Sequence, residues 1–589
     1  MKLLIVESPG KIQKIQKIVG DDYIVKASVG HITELAKTGD ANTGVDIKNN
    51  FKPKYIVSKD KMNVLSDLIN TATTCEMIYL CTDPDREGES ISWHLKERLS
   101  TLDIPFKRAS FKELTKKAIL KALNDAGDID YKLVESQEAR RILDRIVGFK
   151  VSPFLMKSYN ETLSAGRVQS VATKLICERE QEIKAFTPEE FFNLYANLKH
   201  TQKDFVVKLD KRFKTKKEAD DCANVIVQSK KIIVESVESE QKKEKPQPPL
   251  VTATLQQVMS KKFGYSADKT MAAAQRLYEK GAITYLRTDS VRAEPESTKS
   301  LRDWLDTNNH AKSPKENVFK NKDASQDAHE CIRPTDMDTL CDNGFLFVND
   351  EEKNTYDMIW KYFAASQMTD AIYNTLKITL SLQSDPSLKF KVSGKALFDQ
   401  GYLKIFNESQ TSSIDIPNVQ QGDLFDINDS KQVKVEQKKT QAPPRYAEDV
   451  LIKELVSKEI GRPATYAQIL TTISSRNYVE KKGNTYYGTE KGIEVTQKLN
   501  KYFRFMDYKF TADMEKNLDD IAHNKVEKNK MLKEFYENLT IDLAAAYKDA
   551  NISLCPDCSN PLVDRTNKKT GEAFKGCSGY PKCNFVLRS

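Results

Sequence analysis

The sequence predicts a multidomain chain of α/β and α+β parts, on three observations. Short apolar runs end in acidic turns near the amino terminus, strand-like alternation flanks a helical stretch, and four clustered cysteines close the chain. At 589 residues the polypeptide is too long for a single core.

From Met1 to about residue 140, apolar runs alternate with helical patterns such as Met62 to Leu68, Trp93 to Leu99 and Ala118 to Leu123, which reads as α/β. Leu3-Leu4-Ile5-Val6 ends at Glu7, and Met77-Ile78-Tyr79-Leu80-Cys81 ends just before Asp83. Both acidic clusters then fall at carboxyl ends of strands, where open parallel sheets bind ligands. Ser8 reads as the cap of a helix that Pro9 opens, with Ile12, Ile15 and Ile18 on its buried face. That places Lys11 in the first turn, beside backbone N–H groups suited to a phosphate oxygen. Asp83, Asp85 and Glu87 alternate at i, i+2, i+4, so extended chain would present three carboxylates on one side, ligands that suit Mg²⁺. Alone, the run is plainer as a solvated loop; Glu7 and Lys11 favour the metal.

Residues 132–184 read as nearly continuous helix, interrupted near Ser152-Pro153 and at Ser164-Ala165-Gly166-Arg167. Alternation over 188–245 and again over 372–437 predicts one β-domain entered twice, with helices inserted over 250–371. Lys242 to Pro249 looks like a hinge, and Gln441-Ala-Pro-Pro444 a second joint. Beyond it, 446–548 is helical with one hairpin, Tyr478 to Tyr487.

Lys and Arg total 92 against 84 Asp and Glu, a net charge of +8, so a polyanionic partner requires segregated basic surface. A mean hydropathy of −0.57 and 30% charged residues argue against a membrane protein, and Glu7 cuts the opening apolar run short of a signal peptide. An intracellular protein is expected. Cys75, Cys81, Cys177, Cys222, Cys331 and Cys341 are scattered, as reduced core residues are. Cys555-Pro-Asp-Cys558 and Cys577-Ser-Gly-Tyr-Pro-Lys-Cys583 instead form two knuckles, a ribbon-like set of four Zn²⁺ ligands, with a disulfide pair as the alternative. No G-x-x-x-x-G-K-[ST] loop is present, so nucleotide hydrolysis is not indicated.

Met271 to Lys280 reads as a helix stopped by Gly281, and Ala282 to Ser290 as a strand on which Tyr285 and Arg287 share a face. A phenol beside a guanidinium suits a phosphoryl-transfer nucleophile. With an ordinary pKa of about 10, only about one phenol in a thousand is ionised at neutral pH, a deficit of about 4 kcal/mol that cations must offset. Arg287 can also clamp the non-bridging oxygens.

With these residues in view, the chain closely resembles the type IA DNA topoisomerases, in their bacterial topoisomerase I branch. Glu7-Ser-Pro-Gly-Lys11 and Asp83-Pro-Asp-Arg-Glu-Gly-Glu89 resemble the Toprim motifs, and Gly30-His31 the family's Gly-His turn. Ser164-Ala-Gly-Arg-Val-Gln-Ser170 is similar to the DNA-binding helix motif, and Gly281 to Ser290 to the nucleophile motif with Tyr285 in the catalytic place. Asp327-Ala-His-Glu-Cys-Ile-Arg-Pro-Thr335, Gly461-Arg-Pro-Ala-Thr-Tyr-Ala467 and Phe510-Thr-Ala-Asp-Met-Glu515 match further signatures.

The resemblance implies a toroid. Its parts would be a Toprim domain (1–140), a helical DNA-binding gate base (141–187 with 444–546), a β-rich arch (188–249 with 372–443), a helical domain carrying the tyrosine (250–371) and a zinc module (547–589). It implies relaxation of negatively supercoiled DNA without ATP, through a 5′-phosphotyrosine. Lys11 would assist the leaving 3′ oxygen and Arg287 stabilise the scissile phosphate. Glu7, Asp83 and Asp85 would surround Mg²⁺, with Glu87 an outer member. His329 would lie near the active-site phosphates or be a structural partner of a Toprim carboxylate. Arg167, Gln169, Arg333 and His31 would contact DNA, single-stranded at the site, and a monomer is expected. Primases and nucleases use the same carboxylates without a tyrosine; such an enzyme would survive Tyr285→Phe. A non-catalytic DNA-binding protein is disfavoured because nucleophile, Arg287 and carboxylates all remain. Family members often carry further zinc modules or basic repeats, whereas one four-cysteine module stands here.

Overall fold

Parallel pairing of four strands builds the amino-terminal part of the computed structural model, which describes residues 1–321, 329–339, 347–407, 415–557, 561–567, 570–580 and 583–587. Tyr23–Ala27, Lys2–Val6, Met77–Cys81 and Phe106–Arg108 lie side by side in that order. Leu3 and Ile5 pack with Leu68, Ile78 and Leu95 on one face; Leu4 and Val6 pack with Ile15, Tyr79 and Phe111 on the other. Because both faces are covered, the strand reads as an unbroken apolar run. Val6 is level with Ala27 on one side and Cys81 on the other, so the turns bearing Glu7, His31 and Asp83 leave the same edge.

Asp130 caps the long helix Tyr131–Tyr159 by accepting the N–H groups of Lys132 and Leu133. The interruption expected near Ser152-Pro153 does not occur there; the helix ends at Asn160, in a left-handed conformation (φ 52°). An internal proline costs about 3 kcal/mol. Val151, Phe154 and Leu155 are wholly buried around it, and each such side chain contributes about 1.5–3 kcal/mol, enough to carry the helix through. Its core is shared with the helix Arg167–Ala185 and with the helices Glu448–Ser457, Tyr466–Ser475, Glu490–Tyr502, Tyr508–Ala522 and Lys528–Asp549.

The two strand-rich stretches form one antiparallel sheet of seven strands, in the order Leu424–Asp426, Lys231–Glu244, Ala371–Leu382, Asp385–Asp399, Phe205–Phe213, Glu190–Leu198, Val433–Lys439. Lys242 to Glu244, expected within a hinge, continue the strand opposite Tyr373 to Ala371; only 245–249 lie outside the ladder. From this sheet the chain enters the helical insertion, with helices Thr252–Phe263, Ala267–Glu279, Pro295–Thr307 and Asp350–Ser366.

The insertion makes two seams. One is a core shared with the parallel sheet, where Leu277, Tyr278, Ile283 and Tyr285 join Leu4, Val6, Phe111 and Leu114. At the other, Thr252–Phe263 and Ala267–Glu279 rest on Glu448–Ser457 and Tyr466–Ser475. The insertion thus rests on the parallel sheet at one seam and on the helical body at the other. The tail adds a small antiparallel sheet, Leu562–Thr566, Ala573–Cys577 and Val586–Leu587. Among the described residues no helix is long and apolar enough to cross a membrane.

Candidate active site and metal centres

The carboxyl edge of the parallel sheet faces Tyr285 across the first seam. Ser8 caps the short turn Pro9–Lys11 and donates from its hydroxyl to Glu279 of the insertion at 2.5 Å. Lys11 is wholly buried, its ammonium on the Asp83 carboxylate and 4.8 Å from the centre of the Tyr278 ring. Asp85 caps the helix Arg86–Leu99, one oxygen accepting Gly88 N–H at 2.8 Å and the other the Tyr285 hydroxyl at 2.6 Å. Arg287 Nη1 stands 3.7 Å from that second oxygen. Gly88 allows the helix to approach so closely: a Cβ there would lie 2.2 Å from the Asp83 carbonyl oxygen.

Glu7 is pushed up to about 8, chiefly by burial and then by Asp83 and Asp85, with Lys11 and Arg287 opposing. Its Oε2 has no hydrogen-bond partner. Surplus negative charge on hard oxygen donors, one of them unpartnered, fits a divalent cation held by Glu7, Asp83 and Asp85. Among the described residues, however, only cysteines bring three ligand atoms within 4.8 Å of one another. Lys11 and Tyr285 each hold one of the acidic groups in this state.

Glu87 departs from the expected row of three. The extended run stops at Asp85; Glu87 lies in the first helical turn and turns to His31 and to Gln137 Nε2, the latter at 3.2 Å. Burial alone would raise its pKa, but His31, Gln137 and Arg141 bring it to about 2. His31, expected at DNA, is thereby the partner of Glu87. His329 Nε2 donates to the Pro84 carbonyl, 2.7 Å away, with its ring 6.0 Å from that of Tyr285. The structure gives it a backbone partner in the acidic loop; Asp327 and Ala328 of its motif lie outside the described residues.

Tyr285 is 3% exposed, and burial followed by Asp85 and Asp83 drives its pKa well above 10, against Arg287. Its segment is not the expected strand. Ile283 makes a single bridge to Pro334, Thr284 N–H goes to Arg333 and Tyr285 N–H crosses the seam to Lys112. These backbone groups divide between two neighbours, one containing a proline without a donor, so no ladder extends.

Two expected DNA cations are turned inward. Arg167 is buried against Glu515 at 2.7 Å and Asp144 at 3.2 Å, and Arg333 against Glu330 and Glu113, both at 2.9 Å. Each guanidinium is already spent on carboxylates, which desolvation demands of a buried charge. Gln169 is half-buried and lines a groove with Ser164, Ser170, Arg476 and Tyr478. Sequence reading missed Arg108, which binds Glu89 at 2.9 Å and the carbonyls of Thr82 and Asp83 at 3.0 and 2.9 Å. It fixes the acidic loop from behind, and its only signal was an arginine closing a short strand, Phe106–Arg108.

In the tail, the sulfurs of Cys555, Cys577 and Cys583 converge, with Cys555 and Cys583 Sγ 3.6 Å apart. That is far beyond a disulfide bond and near the roughly 3.8 Å edge of a tetrahedral zinc–thiolate site. Cys558 lies outside the described residues.

Comparison with known proteins decides the family. A DNA topoisomerase family model matches residues 128–533, a Toprim domain model 2–114, and a topoisomerase DNA-binding C4 zinc finger model 552–589. The chain belongs to the bacterial topoisomerase I branch of the type IA DNA topoisomerases. It is 36% identical to DNA topoisomerase 1 of Pseudomonas aeruginosa over 98% of this chain and 72% of that one. With DNA topoisomerase 1 of Escherichia coli K12 it shares 37% identity over 98% and 71%. Full-length topoisomerase I from Thermotoga maritima superposes with a TM-score of 0.80 at 32% identity, covering 100% of this chain and 97% of that one.

Proposed function

We propose that the chain relaxes negatively supercoiled DNA without ATP, by Mg²⁺-dependent cleavage and religation of one strand and passage of the other through the break. The observation that carries this reading is the Tyr285 hydroxyl held 2.6 Å from Asp85, with Arg287 beside the same oxygen. In this reading the Tyr285–Asp85 contact is the closed gate between tyrosine domain and Toprim edge. Tyr285 oxygen attacks the scissile phosphorus as the bond to the 3′ oxygen breaks. Its proton passes to Asp85, which already accepts it in a hydrogen bond, and Lys11 supplies a proton to the departing 3′ oxygen. Arg287 holds the non-bridging oxygens. One phosphodiester replaces another, so no nucleotide need be consumed. Glu7, Asp83 and Asp85 would hold Mg²⁺, whose countercharge would serve religation.

The tyrosine domain is assigned to the moving side of the gate, and the helical body around Arg167–Ala185 to its fixed base. A cavity of about 450 Å³ lined by Arg141, Arg145, Phe149, Ser164 and Arg476 leads along that base. Arg145 lies 4.8 Å from the Phe149 ring, a basic and aromatic lining suited to single-stranded DNA. Gln169 borders the adjoining groove and is assigned to the strand. Arg167, Arg333 and His31 are assigned to holding carboxylates.

Relaxation of negatively and positively supercoiled plasmid, with and without Mg²⁺ and ATP, tests the reading. Negative supercoils should relax with Mg²⁺ alone; a requirement for ATP would refute it. The tail cysteines should hold about one zinc ion per chain, lost in Cys577→Ser with local unfolding of the module only. Elemental analysis finding no zinc in the intact chain would remove that assignment.

A further inference from the structure

Gate opening must part both seams of the insertion, yet the chemistry proposed above concerns only the first. At the second, one buried carboxylate crosses between the two bodies. Glu448 is 1% exposed in the first turn of its helix, and its own N–H donates to the Asn484 carbonyl at 3.0 Å, which ties it to the hairpin Val479–Lys482/Thr485–Gly488. Its Oε1 accepts the N–H of Ala267 at 2.5 Å, and its Oε2 the Tyr486 hydroxyl at 3.1 Å and the Lys481 ammonium.

These partners divide unequally. Tyr486 and Lys481 belong to the same body as Glu448, while Ala267 opens the helix Ala267–Glu279, which runs to Tyr278 and the Tyr285 segment. A carboxylate at a helix amino terminus takes a free N–H and meets the positive end of the helix dipole. On opening, the helix loses that anion but keeps its Ser266 cap on Lys269 N–H, and Glu448 keeps Tyr486 and Lys481. Neither side is stranded as an unpaired buried charge, so the contact can break and re-form reversibly. Nearby, Ser260 meets Asn484 at 3.1 Å, Thr471 meets Asp268, and Ala253 and Ala267 join the apolar core of the helical body.

We propose that Glu448 is a positioning residue for strand passage: a detachable latch that holds the amino terminus of the tyrosine-bearing helix and sets the closed-to-open equilibrium of the gate. This rests on the topoisomerase reading above. It predicts that the latch governs passage and leaves the transesterification itself alone.

Two variants test it in the full-length chain. Glu448→Gln keeps the shape and removes the charge. Ala267→Pro removes the crossing N–H at the first helical position, where proline is favoured, after a Ser266 whose φ and ψ of −70° and 158° suit a residue before proline. Dyes on exposed positions of the insertion and of the helix Lys528–Asp549 report opening without DNA. Both variants should raise the open fraction about tenfold, the loss of one charge-assisted hydrogen bond. Cleavage of a single-stranded oligonucleotide should be unchanged while relaxation of plasmid changes. Folded Ala267→Pro with a wild-type open fraction overturns the latch, as does an equal loss of oligonucleotide cleavage and relaxation. An intact chain that never cleaves the oligonucleotide overturns instead the functional reading, since the dye measurement needs no catalysis.

Discussion

Tyr285→Phe is expected to abolish the covalent protein–DNA adduct, lowering strand cleavage by at least about 10⁴-fold, because no other group replaces a lost nucleophile. The ring itself should stay in place. It packs 5.5 Å from Tyr278 and its backbone N–H still donates to Lys112 at 2.7 Å, neither of which needs the hydroxyl. What the closed gate loses is the hydrogen bond to Asp85, whose oxygen keeps Arg287 at 3.7 Å. Melting should therefore move little, and binding of single-stranded oligonucleotide should persist. Denaturation of cleavage reactions with 5′- and 3′-labelled DNA gives the answer: wild-type protein should remain on the 5′ end, and the Tyr285→Phe variant on neither. A 5′ adduct formed by the variant would move the nucleophile elsewhere and leave the Asp85 contact as packing.

The surroundings of that phenol explain why it is guarded when idle. With burial, Asp85 and Asp83 all raising its pKa, Tyr285 in the closed gate is a poor nucleophile. In the function proposed above, activation comes with the strand, whose phosphate would draw Arg287 from Asp85 onto the reacting oxygens. On that reading the gate is inert until substrate rearranges its charges.

Sequence periodicity revealed the acidic edge because everything that makes it is local. Val6 and Cys81 end two apolar runs, the runs pair in register, and Glu7 and Asp83 follow of necessity. The same locality misled at Glu87, where Asp85 starts a helix as its cap and turns the next carboxylate towards His31. It misled at Tyr285 too, since alternation cannot show that neighbouring backbone groups bond to different segments. The arginines are a different case. A sequence shows that Arg167 and Arg333 are cations in family motifs, but not that Glu515 and Glu113, distant in the chain, pair with them. Arg140 and Glu515, 375 residues apart, meet only because the two halves of the helical body share one core.

That meeting point carries the largest expected change in stability. Glu515 is wholly buried, with Arg140 Nη2 at 2.5 Å and Arg167 Nη2 at 2.7 Å. Burial would raise its pKa, but Arg140, Arg167 and Arg462 together hold it well below the usual carboxylate range. Glu515→Gln removes a wholly buried countercharge beside these guanidiniums and turns amide donors towards them. Breaking a buried pair in this way costs about 3–5 kcal/mol, so unfolding of the helical body should occur at markedly lower denaturant. The sign of the pH dependence follows from the depressed pKa. The unfolded state binds a proton on Glu515 below its ordinary pKa while the folded state does not, so wild-type stability from this group is complete above that value and falls as pH drops through it. The gap between wild type and Glu515→Gln should then be widest at neutral pH and narrow on acidification. Because Arg462 and Arg86 both bind Asp519, at 2.7 and 2.5 Å, and Arg86 follows Asp85, the loss should also loosen the base of the acidic loop. Denaturant titrations of both proteins from neutral to acid pH measure this. Parallel curves at every pH would mean that the three arginines are compensated from elsewhere, and that the cluster does not tie the halves of the gate base together.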